Sequence, residues 1–179
     1  MSNQPATQRV DDLAQAQVAL VMGSNSDWPV MRQAADVFEH FGIPYLAQVV
    51  SAHRMPAHMV EFGRAASEHS LAGIVAGAGG AAHLPGMLAA LTEVPVFGVP
   101  IPTRYMKGED SLWSIVQMPK GVPVATFAIG EAGAVNAALH LVANLAVHDA
   151  ALKQEWLAYR QTQTEKAAAM RLDTHTSNN

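Results

Sequence analysis

The sequence predicts an α/β fold: a three-layer α/β/α, flavodoxin-like domain on a parallel sheet of about five strands, with a C-terminal helical extension. Three observations lead there. Strand-like and helix-like segments alternate five times along the chain. The strand-like segments are unbroken apolar runs rather than alternating ones, as expected of strands covered on both faces. The chain has 179 residues, 50% of them apolar, which suits one domain, and five repeats fall short of the eight that close a barrel.

The elements follow in order. A polar lead over residues 1–16 is expected to be loose. Residues 17–22 (QVALVM) read as the first strand and 23–27 (GSNSD) as a turn. Asp27 is placed to N-cap a helix from Trp28 to about Phe41, which Gly42 stops and Pro44 prevents from continuing. A second strand covers 45–50 (YLAQVV), the polar turn 51–56 (SAHRMP) follows, and a helix runs from Pro56 to about His69. Residues 71–76 (LAGIVA) form the third strand, 77–86 (GAGGAAHLPG) a glycine-rich loop, and a short helix reaches about Leu91. The fourth strand is 94–99 (VPVFGV); 100–109 is irregular and 110–117 helical. The fifth strand is 122–127 (VPVATF), followed by an Ala-rich helix over 131–148 and a charged one over 150–169. One catalytic domain is expected over 17–162, with flexible polar termini at 1–16 and 163–179.

Composition narrows the function. Eleven Lys and Arg against 15 Asp and Glu give a net charge of −4, which is neither the footprint of a nucleic-acid binder nor that of an acidic disordered chain. With no Cys, disulfides, thiolate zinc sites and cysteine nucleophiles are excluded. No apolar run is long enough to span a membrane and the first 16 residues lack the apolar stretch of a signal peptide, so a cytoplasmic protein is expected. Thirty-two Ala and 13 Gly against 6% aromatic residues suit closely packed layers and close subunit contacts.

In an open parallel sheet, ligands bind beyond the carboxyl ends of the strands. The three most polar or glycine-rich turns, 23–27, 51–56 and 77–86, all lie at such ends. The Ser24–Ser26 turn offers backbone N–H groups and hydroxyls to an anion, and Asp27 can accept hydrogen bonds from ribose hydroxyls; the same residues can equally serve as helix caps. At Ser51-Ala52-His53-Arg54, Arg54 supplies a planar fork for phosphate or carboxylate and His53 an imidazole of the kind that serves as acid and base; a plain surface pair is the alternative. In the glycine loop, bare backbone at Gly79, Gly80 and Ala81 can approach a flat ligand closely, and His83 is either a ligand group or a cap-region histidine.

Other chemistries lack their residues. Residues 77–82 match G-x-G-x-x-A, but the fourth strand runs into Pro100-Ile101-Pro102 without the acidic residue that would hold a dinucleotide's ribose. There is no Walker A pattern, no acidic pair of the response-regulator kind and no metal-ligand spacing, His53 and His58 being five apart. His40, His69, His140 and His148 read as helix-end or solvated-face residues.

Four segments, 21–28 (VMGSNSDW), 50–54 (VSAHR), 76–87 (AGAGGAAHLPGM) and 110–119 (DSLWSIVQMP), together closely resemble the bacterial N5-carboxyaminoimidazole ribonucleotide mutases of de novo purine synthesis. The resemblance runs from about Val18 to His148 and more loosely to about Thr162. It implies an isomerase that moves a carboxylate from the exocyclic nitrogen of its substrate to a ring carbon, giving 4-carboxy-5-aminoimidazole ribonucleotide, without metal or organic cofactor. It maps the general acid/base onto His53, phosphate and ribose binding onto Ser24 and Asp27, and a phosphate clamp onto Arg54, with Ser51 and His83 as further site candidates. It also implies a homo-octamer. The alternative within the family is a carboxylase that takes free carbon dioxide; the glycine loop resembles the mutase branch. A flavin- or nucleotide-binding module on the same scaffold would have no need of the His-Arg pair. Met55 stands where the family usually has Thr, and 103–107 (TRYMK) is bulkier and more basic than expected, which bears on the rim of the site or a subunit contact.

Overall fold

The structure, a computed structural model, describes residues 10–172. The chain divides into two compact units, Met1–Leu141 and Val142–Asn179.

In the first unit five strands, β1 (Val18–Met22), β2 (Tyr45–Val49), β3 (Gly73–Gly79), β4 (Val96–Ile101) and β5 (Ala125–Thr126), form one sheet in the order β2-β1-β3-β4-β5. Every pairing is parallel. This is the flavodoxin-like order, in which the chain reverses its direction of travel between β1 and β3. Residues 18–21 of β1 are wholly buried, as a continuous apolar run requires. Ala19, Val21, Ile74 and Ala76 face a core completed by α2 (Pro56–Glu68), α3 (Leu84–Ala89) and α4 (Glu109–Val116), through residues such as Phe62, Leu88 and Ile115. The opposite face meets α1 (Trp28–His40) and residues 131–141 of α5 (Glu131–Leu145): Met31 lies against Gly77, and Leu141 against Gly73.

Several elements differ from the sequence expectation. Residues 10–15 of the lead form a 3-10 helix whose Leu13 is completely buried; residues 1–9 and 173–179 lie outside the described residues. Asp27 does not cap α1 through its side chain. It closes a tighter 3-10 turn at Asn25–Asp27, where Ser24 is the cap residue and the Asp27 carboxylate returns a hydrogen bond to the Ser24 backbone. The third strand starts at Gly73 rather than Leu71 and extends to Gly79, because Ala78 and Gly79 pair with Pro100 and Ile101 of β4. The fifth strand shrinks to two residues on the sheet edge, Pro123 having no N–H for a ladder.

In the second unit, α6 (Ala150–Ala169) is the helix expected there and includes residues 163–169 of the supposed tail. Asp149 caps it, its Oδ1 accepting from the N–H groups of Ala151 and Leu152 at 2.9 and 3.0 Å. Along α6 the rings of Trp156 and Tyr159 stack 5.8 Å apart. No helix among the described residues is long and apolar enough to cross a membrane.

Candidate active site

Beyond the carboxyl ends of β1 to β4 lies a cleft of about 590 Å³. Its first wall is the turn after β1. Ser24 is extended, its Oγ accepting from the Ser26 N–H at 3.2 Å, while the Ser26 hydroxyl donates to Ser24 Oγ at 2.9 Å and to Asp27 Oδ1 at 3.3 Å. Asp27 Oδ2 accepts from the Ser24 N–H at 3.2 Å. The turn is thus closed by bonds among its own residues. Asp27 is 9% exposed. Burial pushes its carboxyl above the ordinary range, and the Ser26 hydroxyl, the Ser24 N–H and the Arg54 charge pull it down without cancelling that effect.

The second wall follows β2. Ser51 is buried, its carbonyl accepting from the Met55 N–H at 2.7 Å to form the turn. Arg54 Nε donates to Ser51 Oγ at 3.1 Å and Nη2 to the Gly23 carbonyl at 3.2 Å. One guanidinium therefore ties the second loop to the first. His53, at the tip of the turn, reaches the third wall: its Nε2 lies 2.8 Å from Nδ1 of His83, with the rings edge to face. Such a bond needs one N–H and one lone pair, so it forms only when at most one ring carries a charge.

The third wall is the glycine loop. Gly80 has a left-handed backbone (φ +69°), a conformation that favours a residue without Cβ. Its N–H donates to Ser111 Oγ at 2.9 Å, and its carbonyl accepts from the Ser114 hydroxyl at 3.0 Å. Ser111, completely buried, also donates to the Ile101 carbonyl at 2.7 Å. These bonds fix the exits of β3 and β4 to α4.

Of the residues singled out in the sequence, Ser24, Asp27, Ser51, His53, Arg54, Gly79, Ala81 and His83 all line the cleft. Gly80 does not; its peptide is turned towards α4 and it shapes the loop from behind. Ser26, whose hydroxyl the sequence offered to an anion, lines the cleft as well, and so does a fourth wall, Thr103, Arg104 and Tyr105, part of the stretch that the sequence marked for the rim of the site or a subunit contact without giving it a role. The signal for that wall was the strand order, since the exit of β4 must lie beside that of β3. His58 lies away from the cleft, 8% exposed, with Nε2 2.9 Å from Gln48 Nε2. His140 packs against Phe97 and Phe127. Among the described residues no group of three or more His, Cys, Asp or Glu side chains is placed to hold a metal ion.

Residues 17–166 match the family described as AIR carboxylase. The chain is 55% identical over 151 residues to the N5-carboxyaminoimidazole ribonucleotide mutase of Brucella melitensis, covering 84% of this chain and 93% of that protein. It is 54% identical to the mutase of Escherichia coli K12, covering 84% and 89%. Among solved structures, Treponema denticola PurE superposes with a TM-score of 0.75 at 23% identity, covering 84% of this chain and 93% of the other, a likeness of fold.

Proposed function

The chain belongs to the AIR carboxylase family, and from that premise we propose that it isomerises N5-carboxyaminoimidazole ribonucleotide to 4-carboxy-5-aminoimidazole ribonucleotide in purine biosynthesis. The observation that carries this is an identity of 52–55% to proteins named as that mutase, over nearly their whole length. The convergence of four loops on one cleft supports it.

In this reading the phosphate and ribose lie along the turn after β1. The Ser24 and Ser26 hydroxyls and the Arg54 fork face the phosphate, Ser51 holds that fork, and Asp27 accepts from ribose hydroxyls. The imidazole base extends towards His53 and His83. As the carbamate carbon–nitrogen bond breaks, His53 protonates the departing nitrogen. As the ring carbon bonds the released carbon dioxide, His53 takes the proton that carbon loses. The gain and loss of one proton on one side chain suits an isomerisation with no net proton change. His83 orients the His53 ring through the bond between their nitrogens. The backbone of Gly79 and Ala81, free of bulky side chains, closes around the carbon dioxide and keeps it beside the ring, with Gly80 shaping the loop from behind. No cofactor enters this scheme. We place the catalytic domain at 17–162 in a cytoplasmic homo-octamer.

The test is to incubate the protein with N5-carboxyaminoimidazole ribonucleotide, without ATP or added bicarbonate, and follow the carbon-carboxylated product. Conversion is expected. Product only from aminoimidazole ribonucleotide plus bicarbonate would make the enzyme the carboxylase, and no product from either would overturn the reading.

A further inference from the structure

The fourth wall of the cleft has no part in that scheme. It carries a cation: of the described lining residues, Arg54 and Arg104 bear permanent positive charge, and Asp27 is the one carboxylate. Arg54 is already engaged with Ser51 and Gly23 on the β1–β2 side. Arg104 meets no carboxylate among the described residues. Its guanidinium carbon instead sits 5.6 Å over the ring of Tyr105, which is 86% exposed. An arginine stacked on an exposed aromatic ring keeps its N–H fork free for an anion.

The base of this segment is firmly held. The Thr103 hydroxyl donates to Asp110 Oδ1 at 2.8 Å, the Thr103 carbonyl accepts from the Lys107 N–H at 3.0 Å, and Gly108 turns the chain with φ +99° against Pro102 and Ile129. Residues 104–106 stand exposed between these anchors. Arg104 follows β4 and Arg54 follows β2, with β1 and β3 between. Three strand spacings put the two strand ends roughly 14 Å apart, so two long side chains reaching inwards bracket a ligand laid across the sheet edge.

The substrate of the proposed reaction carries two anionic groups, a phosphate at one end and the migrating carboxylate at the other. We infer that Arg104 is the second anion-binding residue of the cleft, pairing with that carboxylate while Arg54 serves the phosphate, and that Tyr105 positions its guanidinium. This rests on the functional reading above and extends it: Arg104 is what distinguishes the carboxylated from the uncarboxylated ribonucleotide.

The experiment compares wild type, Arg104→Ala and Arg104→Lys, with wild-type turnover established first, so that failure of the functional reading is seen before the variants are read. For Arg104→Ala, KM for N5-carboxyaminoimidazole ribonucleotide should rise about tenfold, the scale of one charge-assisted pair, with kcat not reduced, because the carboxylate loses its charge as it departs as carbon dioxide. Calorimetry should show the same loss for 4-carboxy-5-aminoimidazole ribonucleotide and none for aminoimidazole ribonucleotide, which lacks the carboxylate. Arg104→Lys should recover part of the affinity. Equal weakening for both ribonucleotides would mean that Arg104 grips phosphate or ribose, and unchanged binding of both that it touches neither; either result overturns the inference.

Discussion

In the proposed reading Asp27 accepts hydrogen bonds from the ribose as a carboxylate, yet it is almost buried and burial raises its pKa. A carboxyl that holds its proton more tightly folded than unfolded contributes stability that is complete below its unfolded value of 3.8 and is lost as pH rises through the raised folded-state value. Asp27→Asn removes that loss. Its melting temperature should exceed that of wild type at neutral pH, the gain should vanish below about pH 4, and affinity for the ribonucleotide should fall. A variant less stable than wild type at pH 7 would show that the hydrogen bonds, not the burial, dominate. For His53 the expectation concerns turnover: His53→Asn should lose about 100-fold or more in kcat, the usual loss for an acid/base group, with ribonucleotide affinity retained by calorimetry. Turnover near the wild-type level would remove His53 from the chemistry. At this scale the sequence was a good guide to residue type and a poor one to posture. His-Arg beside a strand end pointed to the cleft that the pair lines, but the 2.8 Å contact between His53 and His83 joins residues 30 apart, and the reversed role of Asp27 depends on a backbone bend that no side-chain pattern encodes.

At the scale of elements, β3 carries the glycine loop, and on the face towards α1 it sets the bare positions Gly73 and Gly77 on either side of the buried Val75. A Cβ placed on Gly77 would fall on the Met31 sulfur. Gly77→Ala should therefore destabilise the protein by about 1–3 kcal/mol in urea unfolding, the usual range for overpacking a core. Met31→Ala combined with it should cost less than the sum of the single changes; strict additivity would mean that the two residues do not compete for space. The apolar run of β1 was legible because its residues are buried on both sides. The ends of β3 and β5 were not, because partners fix them: the extension of β3 to Gly79 is dictated by its pairing with Ile101, and the shortening of β5 by an edge position that only the assembled sheet defines.

At the scale of the whole molecule, the proposed assembly of eight chains must cover apolar surface. Trp113 and Val116, three residues apart on α4, are 65% and 42% exposed. In sedimentation the protein should run as an octamer, and Trp113→Glu should shift it to smaller species. A wild-type monomer that is fully active would refute the assembly. The class of fold was legible from the alternation of segments. The flavodoxin-like class also implied the strand order, which brings the exit of β4, and with it Arg104, to the cleft; what the sequence left open was how the side chains of that wall are disposed.

The double attachment of Arg54 has a consequence for the energetics of recognition. Its guanidinium is fixed by Ser51 and Gly23, partners within the chain itself, so the freedom of a long, flexible side chain is surrendered when the chain folds and not again at each binding event. An anion arriving there meets a preorganised fork, and the entropic penalty that usually erodes a salt bridge to a mobile arginine does not subtract from its affinity.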